Sequence, residues 1–263
     1  MNQKTLKVLA CFLGVLMVFS TISLASAAKI ENIYGTGGDI TKNKKVYNNI
    51  PKTTITNNVI ANAKKGTPMV TFGSGNGPKV MIVAGVHGNE LPASIAAMKL
   101  INYLNKRSIK GTVYVIPFVA PYSTSRSTRF WKGKNLNSVA NIAGTPTNKI
   151  VRLSKKLKIK SLADFHSTLP GGVPGRNSIL ATKYPSYQSY RIASYISKKT
   201  GHALIYEYRA GVSYPGALED ACNLARVPAV TCEVKSRHGN VDSGSVIRSY
   251  NQMLTFLKYE KVI

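Results

Sequence analysis

The chain has 263 residues, 44% hydrophobic and 17% charged, which fits one globular domain large enough to bury a real core. Its 36 Lys and Arg against 10 Asp and Glu give a formal net charge of +26, so a polyanion is an expected partner. The basic residues are scattered rather than gathered in one recognition helix, and with the export signal below this argues against nucleic acid, leaving an anionic cell-envelope polymer or charge that serves only solubility.

In chain order, Lys4 and Lys7 lead into an apolar run over 8–24, and Ala25-Ser26-Ala27 follows it. A positive start, an apolar stretch and a small-x-small site describe a secretory signal over 1–27, cleaved after Ala27. The competing reading is an uncleaved N-terminal helix that anchors the chain, because the run approaches spanning length. Cys11 lies at the start of the run rather than after it, which argues against lipidation. Cleavage takes Lys4 and Lys7 with it and lowers the formal charge from +26 to +24. It leaves Cys222 and Cys232, which either pair or stay as buried free thiols. The expected location is secreted and retained at the cell wall by charge, with no stable membrane span once the signal is gone.

Residues 28–65 are rich in Asn, Lys and Thr with little hydrophobic periodicity, and read as a basic surface lead-in to a main domain over 66–263. In that domain, strands are expected over 69–72 and 79–86, separated by a glycine-rich turn, then a helix over 91–104 and a strand over 112–119. The stretch 121–148 carries little regular signal. Beyond it come a helix over 150–157, strands over 161–165 and 177–182, and a helix over 187–198. A strand over 203–206, a helix over 217–226, a strand over 229–234 and a closing helix over 245–257 complete the chain. This alternation predicts an α/β fold, a three-layer sandwich whose central mixed, mostly parallel sheet is flanked by helices. Ligands in such sheets gather at the carboxyl ends of strands.

The candidate chemistry sits at those ends. Gly85-Val86-His87-Gly88-Asn89-Glu90 places an imidazole and a carboxylate three residues apart at a strand-to-helix turn, where both converge on one point. Zinc takes nitrogen and carboxylate ligands, and catalytic zinc sites use three protein ligands plus water. A third ligand is expected from elsewhere, and His166, in Asp164-Phe165-His166-Ser167, supplies it. Either histidine taken singly has a plainer reading, as a hydrogen-bonded side chain.

Gly85-x-His87-Gly88-x-Glu90, followed by a strand ending in Phe165-His166-Ser167, resembles the zinc carboxypeptidase superfamily. That group includes the funnelin metallocarboxypeptidases and the succinylglutamate desuccinylase/aspartoacylase deacylases. The resemblance runs from about residue 68 to the C-terminus and implies one Zn2+ held by His87, Glu90 and His166. Val230-Thr231-Cys232-Glu233 is similar to the strand that bears the family's catalytic glutamate, and Thr128-Arg129-Phe130 to the segment with its oxyanion-binding arginine. By resemblance, Glu233 would take a proton from water and return it to the leaving amine, and Arg129 would stabilise the oxyanion.

Asn135-Leu136-Asn137 resembles the family's Asn-Arg element, with Asn137 retained as a substrate contact but Ser138 where the carboxylate-gripping arginine is expected. Arg126, Arg176, Arg209 and Lys132 are candidates to replace it, with Arg126 first. Gly216-Ala217-Leu218-Glu219 resembles the carboxypeptidase specificity segment, which would put Glu219 at a pocket floor suited to a cationic side chain. Its alternative role is that of an acid complementing a helix dipole. Tyr214, in a Gly/Pro-rich loop, is a candidate hydrogen-bond donor to substrate. His202 and His238 match no metal spacing and stay outside the expected site. The expected activity is that of a secreted zinc amide hydrolase acting on cell-wall peptides. Its alternatives are a deacylase of N-acyl amino acids and an inactive basic wall-binding protein.

Overall fold

The computed structural model describes residues 28–73 and 75–263; the expected signal, residues 1–27, lies outside the described residues. Eight strands form one sheet in the order β1-β2-β4-β3-β5-β8-β6-β7. They are β1 (Lys29–Asn32), β2 (Pro68–Phe72), β3 (Lys79–Ala84), β4 (Thr112–Ile116), β5 (Ser161–Thr168), β6 (Ser178–Tyr184), β7 (Ala203–Arg209) and β8 (Ala229–Lys235). The pairs β3–β4, β3–β5, β5–β8 and β6–β7 are parallel. The pairs β1–β2, β2–β4 and β6–β8 are antiparallel. The sheet is thus mixed and centrally parallel, as the sequence predicts.

Helices cover both faces. On one side Leu91–Leu104, Tyr187–Thr200 and Ser245–Tyr259 pack together, and on the other Pro146–Lys156 packs with Leu218–Leu224. Each face has its own apolar core. One holds Val80, Ile82, Phe165, Ile95, Met98 and Phe256; the other holds Met81, Val83, Leu162, Ile150 and Leu218. Alternate residues of β3 therefore enter opposite cores, which is why this central strand is a continuous apolar run. Among the described residues, no helix is long and apolar enough to cross a membrane.

Residues 28–65, expected as a surface lead-in, are woven into this architecture. β1 lies antiparallel on β2, with Ile30 opposite Val70. The helix Thr54–Ala63 buries Ile55, Val59, Ile60 and Ala63, and Ile40 and Val46 are fully buried. Spaced one turn apart among Asn, Thr and Lys, these few apolar residues make a narrow stripe that overall composition hides. The stretch 121–148 also holds more order than its polarity implies: a helix Pro121–Arg126, a 3-10 turn Leu136–Ser138 and the start of the helix Pro146–Lys156. Thr145 caps the last of these, its hydroxyl accepting from the Asn148 N–H at 3.2 Å. Cys222 and Cys232 are buried free thiols, so the open choice between pairing and remaining free falls to the latter.

Candidate metal centre

β3 ends at Ala84, and the chain turns at Gly85 with φ +72 before entering the helix Leu91–Leu104. Gly88 lies so close to the Pro121–Arg126 helix that a Cβ there would sit 2.2 Å from the Ser123 carbonyl carbon. These two glycines seat the loop deep enough to bury His87 and Glu90, which are 2% and 4% exposed. His166 arrives from the middle of β5 rather than just beyond it, because the strand continues to Thr168.

The three side chains meet. His87 Nδ1 lies 2.7 Å from Glu90 Oε1, and His166 Nδ1 lies 2.8 Å from Glu90 Oε2. Their potential ligand atoms all fall within 4.8 Å of one another, so the three residues can hold a metal ion. The outer nitrogens are fixed as well: His87 Nε2 is 2.8 Å from Asn135 Oδ1, and His166 Nε2 is 2.8 Å from Asp164 Oδ2. An oxygen acceptor on Nε2 favours a proton there and directs Nδ1 inward, the arrangement that orients metal-binding histidines. The Ser167 N–H and Arg129 Nη1 also donate to the Glu90 carboxylate, at 3.1 and 2.9 Å.

The electrostatics follow from burial and crowding. Burial alone would raise the Glu90 carboxyl, but His87 and His166 outweigh it and hold the group well below the usual carboxylate range. Burial opposes charge on His166 too, yet Asp164 and Glu90 push it well above its ordinary value. Glu233 stands opposite His166 in the β5–β8 register and lines the same cavity. Burial lifts it to about 8; His166 pulls it down, Glu90 and Asp164 push it up, and Arg129 again lowers it. Its Oε2 is buried and has no hydrogen-bond partner among the described residues.

The cavity has a volume of about 280 Å³, and Arg129, Asn137, Tyr214 and Glu219 are among the residues that line it. Asn137 Oδ1 accepts from the Leu218 N–H at 3.0 Å and ties the 3-10 turn to the helix that carries Glu219. Glu219 is 4% exposed and accepts from Asn223 Nδ2. Burial, then the charge and hydrogen bond of Asp220, raise its carboxyl well above the usual range. The arginine substitutes fare differently. Arg126 is exposed, stacks over Tyr122 at 4.7 Å and does not line the cavity. Arg209 lies 5.0 Å from the Tyr184 ring and Lys132 5.0 Å from that of Trp131; neither lines the cavity, nor does Arg176. Arg129 is the one Lys or Arg among the described lining residues.

Three residues enter that sequence reasoning left aside. Asp164 was legible as a residue two before His166, hence on the same face of β5. Asn135 has no such signal. His238, set outside the expected site, lines the cavity with Nε2 3.2 Å from the Ser167 carbonyl and 3.7 Å from Glu90 Oε1. It arrives through the turn after β8, which spacing along the chain does not reveal.

Residues 76–173 match the profile of the succinylglutamate desuccinylase/aspartoacylase catalytic domain. Against curated proteins the sequence has no significant match. Among solved structures, the chain is similar to an aspartoacylase family protein from Mesorhizobium loti, at 18% identity and TM-score 0.60, with 90% of this chain and 68% of that one covered. It is similar to a succinylglutamate desuccinylase/aspartoacylase from Rhodobacter sphaeroides, at 18% identity and TM-score 0.59, with 77% and 62% covered. It is also similar to the product-bound cell shape determinant protein from Helicobacter pylori, at 16% identity and TM-score 0.60, with 75% and 56% covered. The chain thus spans between about half and two thirds of these relatives' lengths. In its matched segment this chain is similar to the succinylglutamate desuccinylase/aspartoacylase catalytic domain, and in its fold to solved structures that bear that family's name.

Proposed function

We propose that the chain is a secreted, zinc-dependent amide hydrolase acting on cell-wall peptides. The observation that carries this reading is the convergence of His87 Nδ1 and His166 Nδ1 on the two oxygens of Glu90, with both Nε2 atoms anchored from behind. Two imidazoles and a carboxylate, with Glu233 and Arg129 facing the same cavity, suit zinc and leave room for water and substrate. His87, Glu90 and His166 would hold the zinc, which when bound would lower the pKa of a water to about 7 and polarise a carbonyl. Glu233, ionised once a bound cation offsets the burial that raises it, would receive the proton of the attacking water and pass it to the leaving amine. Arg129, already 2.9 Å from Glu90, would stabilise the negative charge that develops on the carbonyl oxygen. Tyr214 and Asn137 border the substrate, and neutral Glu219 in the wall ionises against a cationic side chain such as that of lysine or another diamino acid.

Export along the expected signal and the +24 charge left after its cleavage favour an anionic envelope as the workplace. The likeness to a cell shape determinant protein is in keeping with a wall substrate. The second reading is deacylation of small N-acyl amino acids, favoured by the match of residues 76–173 to the desuccinylase/aspartoacylase domain. Metal analysis of the secreted form tests the enzyme, and paired panels of wall peptides and N-acyl amino acids separate the readings. One zinc per chain is expected, lost in His87→Ala and kept in Glu233→Gln, whose turnover falls by roughly 10² to 10⁴. Zinc absent from the parent, or zinc without hydrolysis of either panel, would leave a basic wall-binding protein.

A further inference from the structure

Among the described residues, a second cavity is larger than that of the candidate metal centre. It has a volume of about 830 Å³ and lies between the helix Leu91–Leu104 with its following turn and the start of the helix Ser245–Tyr259. It shares no lining residue with the metal cavity. Its walls divide by chemistry. Ile95, Val246, Ile247 and the edge-to-face pair Tyr103–Tyr250, 6.5 Å apart, form an apolar body. Lys99, Lys106 and Arg107 bring three cations to the same cavity, and none has an ion-pair partner among the described residues.

The one acid in the lining is already committed. Asp242 accepts from Arg237 Nε and Nη2, at 3.1 and 2.9 Å, and from the Arg237 N–H at 2.9 Å. The N-terminal end of the helix Ser245–Tyr259, which opens at Gly244 without a side-chain cap, adds positive potential to the same space. Asn102 also lines the cavity, and its buried Oδ1 has no hydrogen-bond partner among the described residues. A cavity of this size is that of a small-molecule site, with mostly apolar walls and a few polar groups that fix orientation.

We propose that this cavity binds a small anionic amphiphile, its phosphate or carboxylate head on Lys99, Lys106 and Arg107 and its alkyl or aryl body against Ile95, Ile247 and the two tyrosines. An apolar floor alone would accept a neutral chain, and cations alone would accept any anion. Their combination selects a ligand that carries both.

Calorimetry on the full secreted chain with three probes tests this. Dodecyl phosphate below its micelle concentration is expected to bind saturably. Dodecyl maltoside, with the same chain and no charge, and inorganic phosphate, with charge and no chain, are each expected to bind at least tenfold more weakly. Lys99→Glu combined with Arg107→Glu should weaken dodecyl phosphate at least tenfold while zinc content is unchanged. Lys155→Glu with Lys156→Glu makes the same change in net charge on exposed positions elsewhere and should cost less than twofold. Ile247→Asp, at a half-exposed position that folding tolerates, should weaken it as well. Equal losses in the two charge variants would overturn the site as nonspecific attraction. Maltoside or inorganic phosphate binding as tightly as dodecyl phosphate would overturn it too, as would an unaffected Ile247→Asp.

Discussion

Glu90 bridges His87 and His166, one carboxylate oxygen to each Nδ1, at 2.7 and 2.8 Å. In metal-free protein this makes a buried ionic cluster in which Glu90 is held well below 4.5 and His166 well above 6.5. The depressed acid adds stability above about pH 4.5 that is lost as pH falls through its folded value. The raised histidine adds stability below about pH 6.5 that is lost as pH rises through its own. Chelated Glu90→Gln should therefore be destabilised most between those limits, by on the order of 3–5 kcal/mol, because it strands a buried imidazolium. Urea unfolding across pH measures it, and a pH-independent difference would refute the cluster.

Asp164 touches His166 Nε2 at 2.8 Å. Replacing it with Asn keeps the shape and changes the carboxylate that orients His166 into an amide. Zinc affinity is expected to fall by about 10- to 100-fold in competition with a chelator. Unchanged affinity would mean that Asp164 is only a packing partner.

Glu219 titrates with the opposite sense to Glu90. Its folded-state value lies well above 4.5, so the native protein keeps a proton that the unfolded chain has lost, and stability falls as pH rises from about 4.5 through that value. Glu219→Gln should thus be more stable than the parent at pH 8 and equal to it below pH 4. The same variant should lose any preference for substrates ending in Lys over those ending in Leu. A parent without that preference would remove Glu219 from recognition.

Gly88→Ala places a methyl 2.2 Å from the Ser123 carbonyl carbon, where backbone rather than a movable side chain must yield. Overpacking of this kind costs about 1–3 kcal/mol. A fall in Tm of several degrees is expected, together with weaker zinc retention, because the loop that carries His87 is what shifts. A variant with full stability and zinc content would show that the loop is free to move.

The layers of the fold were legible because buried central strands such as β3 and β4 are nearly unbroken apolar runs between helical ones. That His87, Glu90 and His166 could meet was legible because the first two share one turn and each segment follows or forms a strand of the sheet. What escaped depends on contacts between distant parts of the chain. His238 reaches Glu90 only because β8 lies beside β5, and Asn135 meets His87 across a loop with no periodic signal. The first 38 residues of the described chain escaped for a compositional reason: Val59 and Ile60 are core residues diluted by Asn and Thr. Arg126 was plausible by charge alone, and stacking on Tyr122 claims it instead.

The pairing of His166 with Glu233 is made by backbone, through a ladder that runs from Leu162↔Ala229 to Thr168↔Lys235. A slip of one residue would turn Glu233 away and present Cys232 or Val234 in its place. The two groups therefore keep their spacing for as long as the middle of the sheet survives. On heating, the spacing of His166 and Glu233 should vanish with the slowest-exchanging amides of β5 and β8, after the loops around the cavity have already begun to fray.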